Sequence, residues 1–338
     1  MLTFHSSSPE ETKKIASKLA AEIYPGITIL LSGEMGAGKT HFIQGFLSHK
    51  IKKNVSISSP TYTLRQAYTS DNQSFVHYDF YRLEKGDFID TLDEDFFDEN
   101  TTTLIEWSEK IPSEKIPKTR IEVYIEKSSE SERNISIKFI GFSFPKEELN
   151  KLIAYYRVPK HIQKHIQSVE KVSLAVADNL ISQGAVLDRE FIRQAALLHD
   201  TVRYIDFRGG LVRENFPYEV DNETWVFWNE MREKYIGKHH ADVIAEILSS
   251  KGYPLLGEVI VAHKSNTIFE GFDTMAEKTL YYADKRCKHE NIVPLLDRIE
   301  DLRDRYGDLK NNDAFWSNLR EKNLELEKEL EASELKFS

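Results

Sequence analysis

One cysteine, Cys287, stands in a chain of 338 residues. A single thiol closes no internal disulfide and builds no cysteine zinc cluster, which fits a reducing compartment. No run of eighteen apolar residues occurs, so no membrane-spanning helix is expected. The opening MLTFHSSSPEET puts serine and acid where a signal peptide needs a basic stretch and then an apolar one. The expectation is a cytoplasmic protein with no membrane partner. Positive charge is also in short supply: 45 Lys and Arg stand against 55 Asp and Glu, for a net charge of -10. That disfavours direct, sequence-independent RNA binding over a broad surface, although a local patch or a partner protein can still bring RNA close. There is no internal repeat and no low-complexity segment. What is present is globular chemistry, 40% hydrophobic and 30% charged, too apolar for a disordered chain. At about 150 residues per domain the length suggests two.

Two periodicities divide the sequence. Over the first 140 or so residues strands alternate with short helical segments, and beyond them apolar residues recur almost throughout at helical spacing. GFSFP at 141–145 interrupts both patterns, so the cut falls there, giving a domain over 1–142 and another over 143–338. In the first, Ile27 to Leu31 reads as a strand, a Gly-rich turn follows, and Phe42, Ile43, Phe46 and Leu47 mark a helix. Further strands are expected at Val55 to Ile57, around Tyr62 to Tyr68, and at Phe75 to Tyr78, Leu104 to Trp107 and Arg120 to Ile125. A turn at Ser128 to Glu132 leads into Ile135 to Phe139. In the second, KEELNKLIAYY is helix-prone, and Ile162, Ile166, Val169, Val172 (or Ser173) and Val176 mark one face of a long helix. Other stripes run through Phe191, Ala195 and Leu198; Val243, Ile247 and Leu248; Val259 and Ile260; and Met275, Thr279 and Leu280. At least five helices are expected. The Glu-, Lys- and Leu-rich tail past about residue 313 reads as a solvated or partly packed helix. Trp225, Phe227 and Trp228 read as core or as the wall of a lid.

Residues Gly33, Glu34, Met35, Gly36, Ala37, Gly38, Lys39 and Thr40 form a complete G-x-x-x-x-G-K-T string, after the expected strand and before the expected helix. The glycines let the backbone curl closely enough for successive N–H groups to converge on phosphate oxygens at the positive end of the helix. Lys39 is expected to neutralise the β- and γ-phosphates, and the Thr40 hydroxyl to enter a magnesium shell. Such an enzyme also needs a carboxylate at a strand end. Asp79, after Phe75-Val76-His77-Tyr78, and Glu106, in Leu104-Ile105-Glu106-Trp107, both have that placement.

Taken together, GEMGAGKT, SPTYTLRQAY at 59–68, HYDFYRL at 77–83 and LIEW at 104–107 resemble, in order and spacing, the TsaE family. The resemblance covers about residues 1–142. It implies an α/β P-loop ATPase that uses ATP and magnesium, binds the TsaB and TsaD proteins, and serves the threonylcarbamoyladenosine modification of tRNA next to the anticodon. In that complex it resets the modifying subunits and meets tRNA indirectly. The resemblance assigns the phosphates to residues 33–40, the magnesium side to Thr40 and Glu106, a second acidic position to Asp79 and an aromatic one to Trp107. Thr61 takes a switch position near the γ-phosphate, and Thr12 and Arg133 contact the rest of the nucleotide. Lys39, Thr40, Asp79 and Glu106 are the expected catalytic set. His41 departs from the small polar residue usual after the loop, which leaves the phosphate site intact and bears on the rate.

Seven of the eleven histidines fall after residue 142. His199 and Asp200 end the apolar segment from Phe191, His165 sits on the long preceding helix, and Asp284 falls one turn after Leu280, so these four can converge on one metal ion. Nitrogen and carboxylate ligands without thiolate suit iron, manganese, zinc or magnesium. His240 and His263 are placed to serve a second ion, and hydrolysis of a phosphate ester would follow. The ordered strings KHIQSVEKV, AALLHDTVR, HADVIAEILSSKGY, VIVAHK and YYADK resemble the HD phosphohydrolase superfamily, an all-α fold, over about residues 150–300. That resemblance gives His165, His199, Asp200 and Asp284 to the first metal and His240 and His263 to the second, with Asp200 catalytic and His239 an alternative to His240. Arg203 stands where many members carry lysine, and Lys264 where dinuclear members often repeat histidine. The implied substrate is a nucleotide or small phosphoester. Two other readings remain: a helical half that only docks or regulates, and a P-loop half that only senses nucleotide for the hydrolase.

Overall fold

The computed structural model describes residues 1–51, 57–70, 73–84, 98, 100–305 and 311–337. Contacts divide the chain into two compact units, 1–142 with 184–187, and 143–183 with 188–338.

The first unit is a seven-stranded sheet with helices. β1 (Leu2–Ser6) leads to α1 (Pro9–Ala21), β2 (Thr28–Ser32) to α2 (Lys39–Lys50), and then follow β3 (Arg65–Ser70), β4 (Gln73–Asp79), β5 (Thr101–Glu106), β6 (Arg120–Lys127) and β7 (Arg133–Ile140). The order across the sheet is β1-β7-β6-β2-β5-β4-β3. The four central strands, β6, β2, β5 and β4, run parallel, and the outer pairings are antiparallel. Ile29, Leu30 and Leu31 of β2 and Leu104 and Ile105 of β5 are buried, the apolar run of a strand covered on both faces.

In this unit three expected strands differ from the structure, and two elements, β1 and α1, were not read from the sequence. The strand expected around Tyr62 starts only at Arg65, because residues 61–63 turn and Leu64 takes a left-handed φ of 62°. The strand expected at Leu104 to Trp107 ends at Glu106, since Trp107 is left-handed at φ 61°. Of the strand expected at Val55 to Ile57, Val55 and Ser56 lie outside the described residues, and Ile57 is in no strand. β1 and α1 carry no expectation; α1 is started by Ser8, whose side chain accepts from the Glu11 N–H, with Pro9 in its first turn.

The second unit is largely helical: α3 (Lys146–Tyr155), α4 (Lys160–Ser182), α5 (Arg189–Leu198), α6 (Asn222–Lys234), α7 (His240–Ser250), α8 (Pro254–Val261), α9 (Thr267–Glu270), α10 (Met275–Lys285), α11 (Leu295–Arg305) and α12 (Asp313–Glu329), with a short hairpin of β8 (Cys287–Lys288) and β9 (Asn291–Ile292). α4, α5, α8 and α10 pack on one another. Val169, Val172 and Val176 of α4, and Ser173 beside them, are all fully buried, so both alternatives on that face are inside. Trp228 is core, stacked on Phe216 and Tyr204, with its indole N–H donating to the Arg157 carbonyl at 2.9 Å. No helix among the described residues is long and apolar enough to cross a membrane.

Candidate functional site

In the first unit the loop 33–38 joins the end of a central strand to the start of α2, which makes the strand, the loop and the helix N-terminus one cradle. Gly33 is held at φ 141°, and a Cβ there would sit 2.3 Å from the Ile125 carbonyl oxygen, so only glycine fits. Lys39 is buried, and its Nζ donates to the carbonyls of Gly33 (2.7 Å) and Glu34 (3.0 Å) while lying 3.8 Å from the Trp107 ring centre. Burial lowers its pKa, against the opposing pull of Glu106 and neighbouring carboxylates.

The two strand-end carboxylates, Asp79 and Glu106, are direct partners in the β4–β5 register. Glu106 Oε1 accepts from the Thr40 hydroxyl at 2.9 Å and lies 3.0 Å from His77 Nε2, which is therefore the protonated nitrogen. Asp79 Oδ2 accepts from the Ser59 and Thr61 hydroxyls, and its Oδ1 accepts from the Tyr81 N–H at 2.9 Å. A pocket of about 360 Å³ is lined by Met35, Gly36 and Gly38 to His41, and by Ser59, Thr61, Asp79, Tyr81, Glu106 and Trp107. Five of the expected nucleotide contacts, Thr12, Gly33, Glu34, Ala37 and Arg133, lie off that lining. The Thr12 hydroxyl is buried 2.8 Å from Ser6 Oγ. Arg133 grips the loop from outside, donating to the carbonyls of Ala37 (2.8 Å) and Gly36 (3.1 Å). The Glu34 side chain is exposed, and Ala37 is buried.

Residues that sequence reasoning passed over are His77 and Ser59. The signal for His77 was available: it stands two residues before Asp79, on the same strand face.

In the second unit six buried side chains from five segments meet: His165 from α4, His199 and Asp200 from the end of α5, His240 from the start of α7, His263 just past α8, and Asp284 from α10. They form two groups of potential metal ligands, His165 with His199 and Asp284, and Asp200 with His240 and His263. Asp200 faces both. Its Oδ2 lies 3.8 Å from the Nε2 atoms of His165 and His199, and its Oδ1 lies 3.0 Å from His240 Nε2 and 3.9 Å from His263 Nε2. Asp284 Oδ1 is 3.1 Å from His165 Nε2.

The four imidazoles share one orientation. Nδ1 of His165 bonds the His289 carbonyl at 3.0 Å, that of His199 the Ala196 carbonyl at 2.7 Å, that of His263 the Ile260 carbonyl, and that of His240 the Asp206 carboxylate at 2.8 Å. These carbonyl and carboxylate partners only accept, so Nδ1 of His165, His199 and His263 carries a proton and Nε2 points inward. Nδ1 of His240 also lies 3.0 Å from the Arg203 guanidinium, and the inward Nε2 atoms of His165 and His240 meet Asp284 Oδ1 at 3.1 Å and Asp200 Oδ1 at 3.0 Å. His199 Nε2 is buried with no hydrogen-bond partner, and the Nε2 atoms of His240 and His263 face each other at 3.1 Å. Lone pairs so aimed fit a cation. Burial lowers the pKa of His199 and His263, whereas at His165 and His240 the neighbouring carboxylates outweigh burial and raise it. Those of Asp200 and Asp284 are lowered, against burial, by the surrounding imidazoles, Arg203 and Lys285.

His239 differs from its neighbour. Its Nδ1 accepts from the Ala241 N–H at 3.2 Å as the cap of α7, which occupies the lone pair that a metal would need there. Arg203 bonds Asp206, Lys264 bonds Asp242, and Lys285 bonds Asp284 Oδ2 at 2.7 Å.

The family model of "Threonylcarbamoyl adenosine biosynthesis protein TsaE" matches residues 6–135. The tRNA threonylcarbamoyladenosine biosynthesis protein TsaE of Rickettsia felis is 40% identical over 131 residues, 39% of this chain and 76% of that protein. The protein of the same name from Bacillus subtilis is 34% identical over 140 residues, 41% of this chain and 87% of its own. Among solved structures, Bacillus subtilis YdiB aligns with 41% of this chain and 86% of its own at 30% identity and a TM-score of 0.35.

Proposed function

This chain belongs to the TsaE family through its first 135 or so residues, and we propose that its first unit is the ATPase that supports threonylcarbamoyladenosine formation in tRNA, working with TsaB and TsaD in the cytoplasm and meeting tRNA through that complex. The observation that carries the reading is the Thr40–Glu106 hydrogen bond, which holds a hydroxyl and a carboxylate side by side next to Lys39. The loop amides take the phosphates, and Lys39 exchanges two backbone carbonyls for phosphate oxygens. Thr40 and Glu106 hold magnesium, which neutralises charge on the β- and γ-phosphates when bound. Asp79 fixes the 59–61 segment at the γ-phosphate end through Ser59 and Thr61.

For residues 143–338 we propose an HD-type phosphohydrolase of a nucleotide or small phosphoester. The six ligands hold two divalent ions, of iron, manganese, zinc or magnesium, that would supply charge stabilisation and an activated water. Support comes from the four imidazoles, each with Nδ1 tied off and Nε2 aimed inward. Asp200 spans both groups and is the residue this chemistry depends on most.

Two experiments test the pair. Lys39→Ala should abolish magnesium-dependent ATP hydrolysis, which is weak in the isolated chain and rises on adding TsaB and TsaD, and the wild type should rescue a strain lacking TsaE. Unchanged turnover in the variant, or no rescue, overturns the first reading. Metal analysis beside a phosphatase and phosphodiesterase panel tests the second: no bound metal and no activity with added manganese or iron leaves the helical unit a docking module.

A further inference from the structure

A cavity of about 540 Å³ opens over the histidine and aspartate cluster, well within the roughly 300–1,000 Å³ of small-molecule sites. The chain as a whole is acidic, at -10. This cavity is not: Arg203, Arg208, Lys264, Lys285, Arg298 and Arg305 line it against only two carboxylates, Asp200 and Asp284, both among the ligands. Three of the cations belong to the metal end and are already matched there, Arg203 by Asp206, Lys264 by Asp242 and Lys285 by Asp284.

The other three make a separate wall. α11 brings Arg298, Leu302 and Arg305 to the cavity at i, i+4 and i+7, which is one face of a helix. Arg208 joins them, donating to the Arg305 carbonyl at 3.1 Å. Asp301 is shared among three cations, pairing with Arg298 at 2.6 Å, Arg305 at 2.9 Å and Lys288 at 2.7 Å. Arg298 Nε is buried with no hydrogen-bond partner, a donor beside the cavity still wanting an acceptor.

One phosphate at the metal end leaves Arg298 and Arg305 sharing Asp301 with Lys288, and Arg298 Nε without an acceptor. We propose, resting on the phosphohydrolase reading above, that the substrate of the second unit carries at least one phosphate group besides the one that is cut, and that Arg298, Arg305 and Arg208 hold this further phosphate. Guanidinium groups suit that task because their planar N–H pairs match phosphate oxygens. Phe207 and Leu302 line the same cavity and give the rest of the molecule an apolar strip. In the reaction the oxygen of water bonds to phosphorus and the P–O bond to the remainder breaks. One water proton ends on the leaving oxygen and the other stays with the released phosphate or passes to solvent.

The test uses the full chain, with Lys39→Ala introduced to disable the P-loop, loaded with manganese and titrated with orthophosphate and with pyrophosphate in a calorimeter. Pyrophosphate should bind at least about tenfold tighter. Arg298→Gln and Arg305→Gln should each remove most of that preference while leaving manganese content and orthophosphate affinity unchanged. Arg305 is the more exposed of the two, which guards against a variant that merely misfolds. Equal affinity for the two anions, or a preference untouched in both variants, overturns the proposal. If the parent chain takes up no manganese, the hydrolase reading fails instead. The titration is then repeated without metal: a preference for pyrophosphate that both variants reduce upholds the anion wall, and equal binding overturns it.

Discussion

His77 shows how much of a site rests on a side chain that touches no ligand. It is fully buried, its Nε2–H points at Glu106 Oε1, and its Nδ1 is buried without a partner. That oxygen takes the Thr40 hydroxyl too, so His77 fixes the carboxylate proposed for magnesium. His77→Ala should raise the magnesium concentration needed for half-maximal ATP hydrolysis by about tenfold, with ATP affinity much less affected; a magnesium titration of turnover checks it. In the second unit the same logic separates two aspartate and histidine roles. Asp200 faces both groups of ligands and His263 only one. Asp200→Ala should therefore lose both ions and His263→Ala only one, as counted by mass spectrometry of the purified variants. Residue types at these positions were legible in the sequence, because histidine and aspartate beside apolar helix segments stand out. Their orientation was not, since it is set by carbonyls of His289, Ala196 and Ile260 that no side-chain pattern announces.

At the scale of elements, the strands of the central sheet were readable because burial on both faces leaves continuous apolar runs such as Ile27 to Leu31. Edge elements were harder. β1 alternates two half-buried apolar residues, Leu2 and Phe4, with exposed ones over only five positions, too few to stand above background. β3 begins late because a left-handed residue, Leu64, intervenes, and φ is invisible in an apolar pattern. Helices α4, α5, α7, α8 and α10 of the second unit were legible through their stripes, whereas α6, α9 and α11 were not read, and α4 buries Ile166, Val169, Val172 and Val176 as the 3.6 period requires. Gly45, in the middle of α2, carries a message that propensity alone misreads. Alanine in a helix interior is ordinarily about 1 kcal/mol better than glycine. Here an added Cβ would stand 2.3 Å from the Lys13 carbonyl oxygen and 2.5 Å from its Cα, so α1 and α2 would have to part. Gly45→Ala should thus destabilise the first unit by about 1–3 kcal/mol, measured as a shift in the denaturation midpoint, and a stabilised variant would show that the helices approach less closely.

For the whole molecule, two compact units of this size should each possess its own core and its own ligand, and ligand linkage makes that measurable. A ligand that binds only the folded form stabilises by about 2.7 kcal/mol at a concentration one hundred times its dissociation constant. Magnesium ATP at saturation should raise one thermal transition, and manganese, added after chelation and dialysis, should raise another. The two effects should be separable by substitution. Lys39→Ala, which removes the loop's cation, should cancel the shift with ATP and leave that with manganese. Asp200→Ala should do the reverse. Differential scanning calorimetry of the wild type and both variants makes the comparison on one chain. Should either ligand raise both transitions together, the units unfold as a single cooperative body and the two sites share a free energy, which reciprocity would then require in binding as well. Should manganese move neither transition, the second unit is stabilised by its apolar core alone, and the six inward-facing ligands are left as a polar cluster held by the carbonyls and the Asp206 carboxylate that orient them.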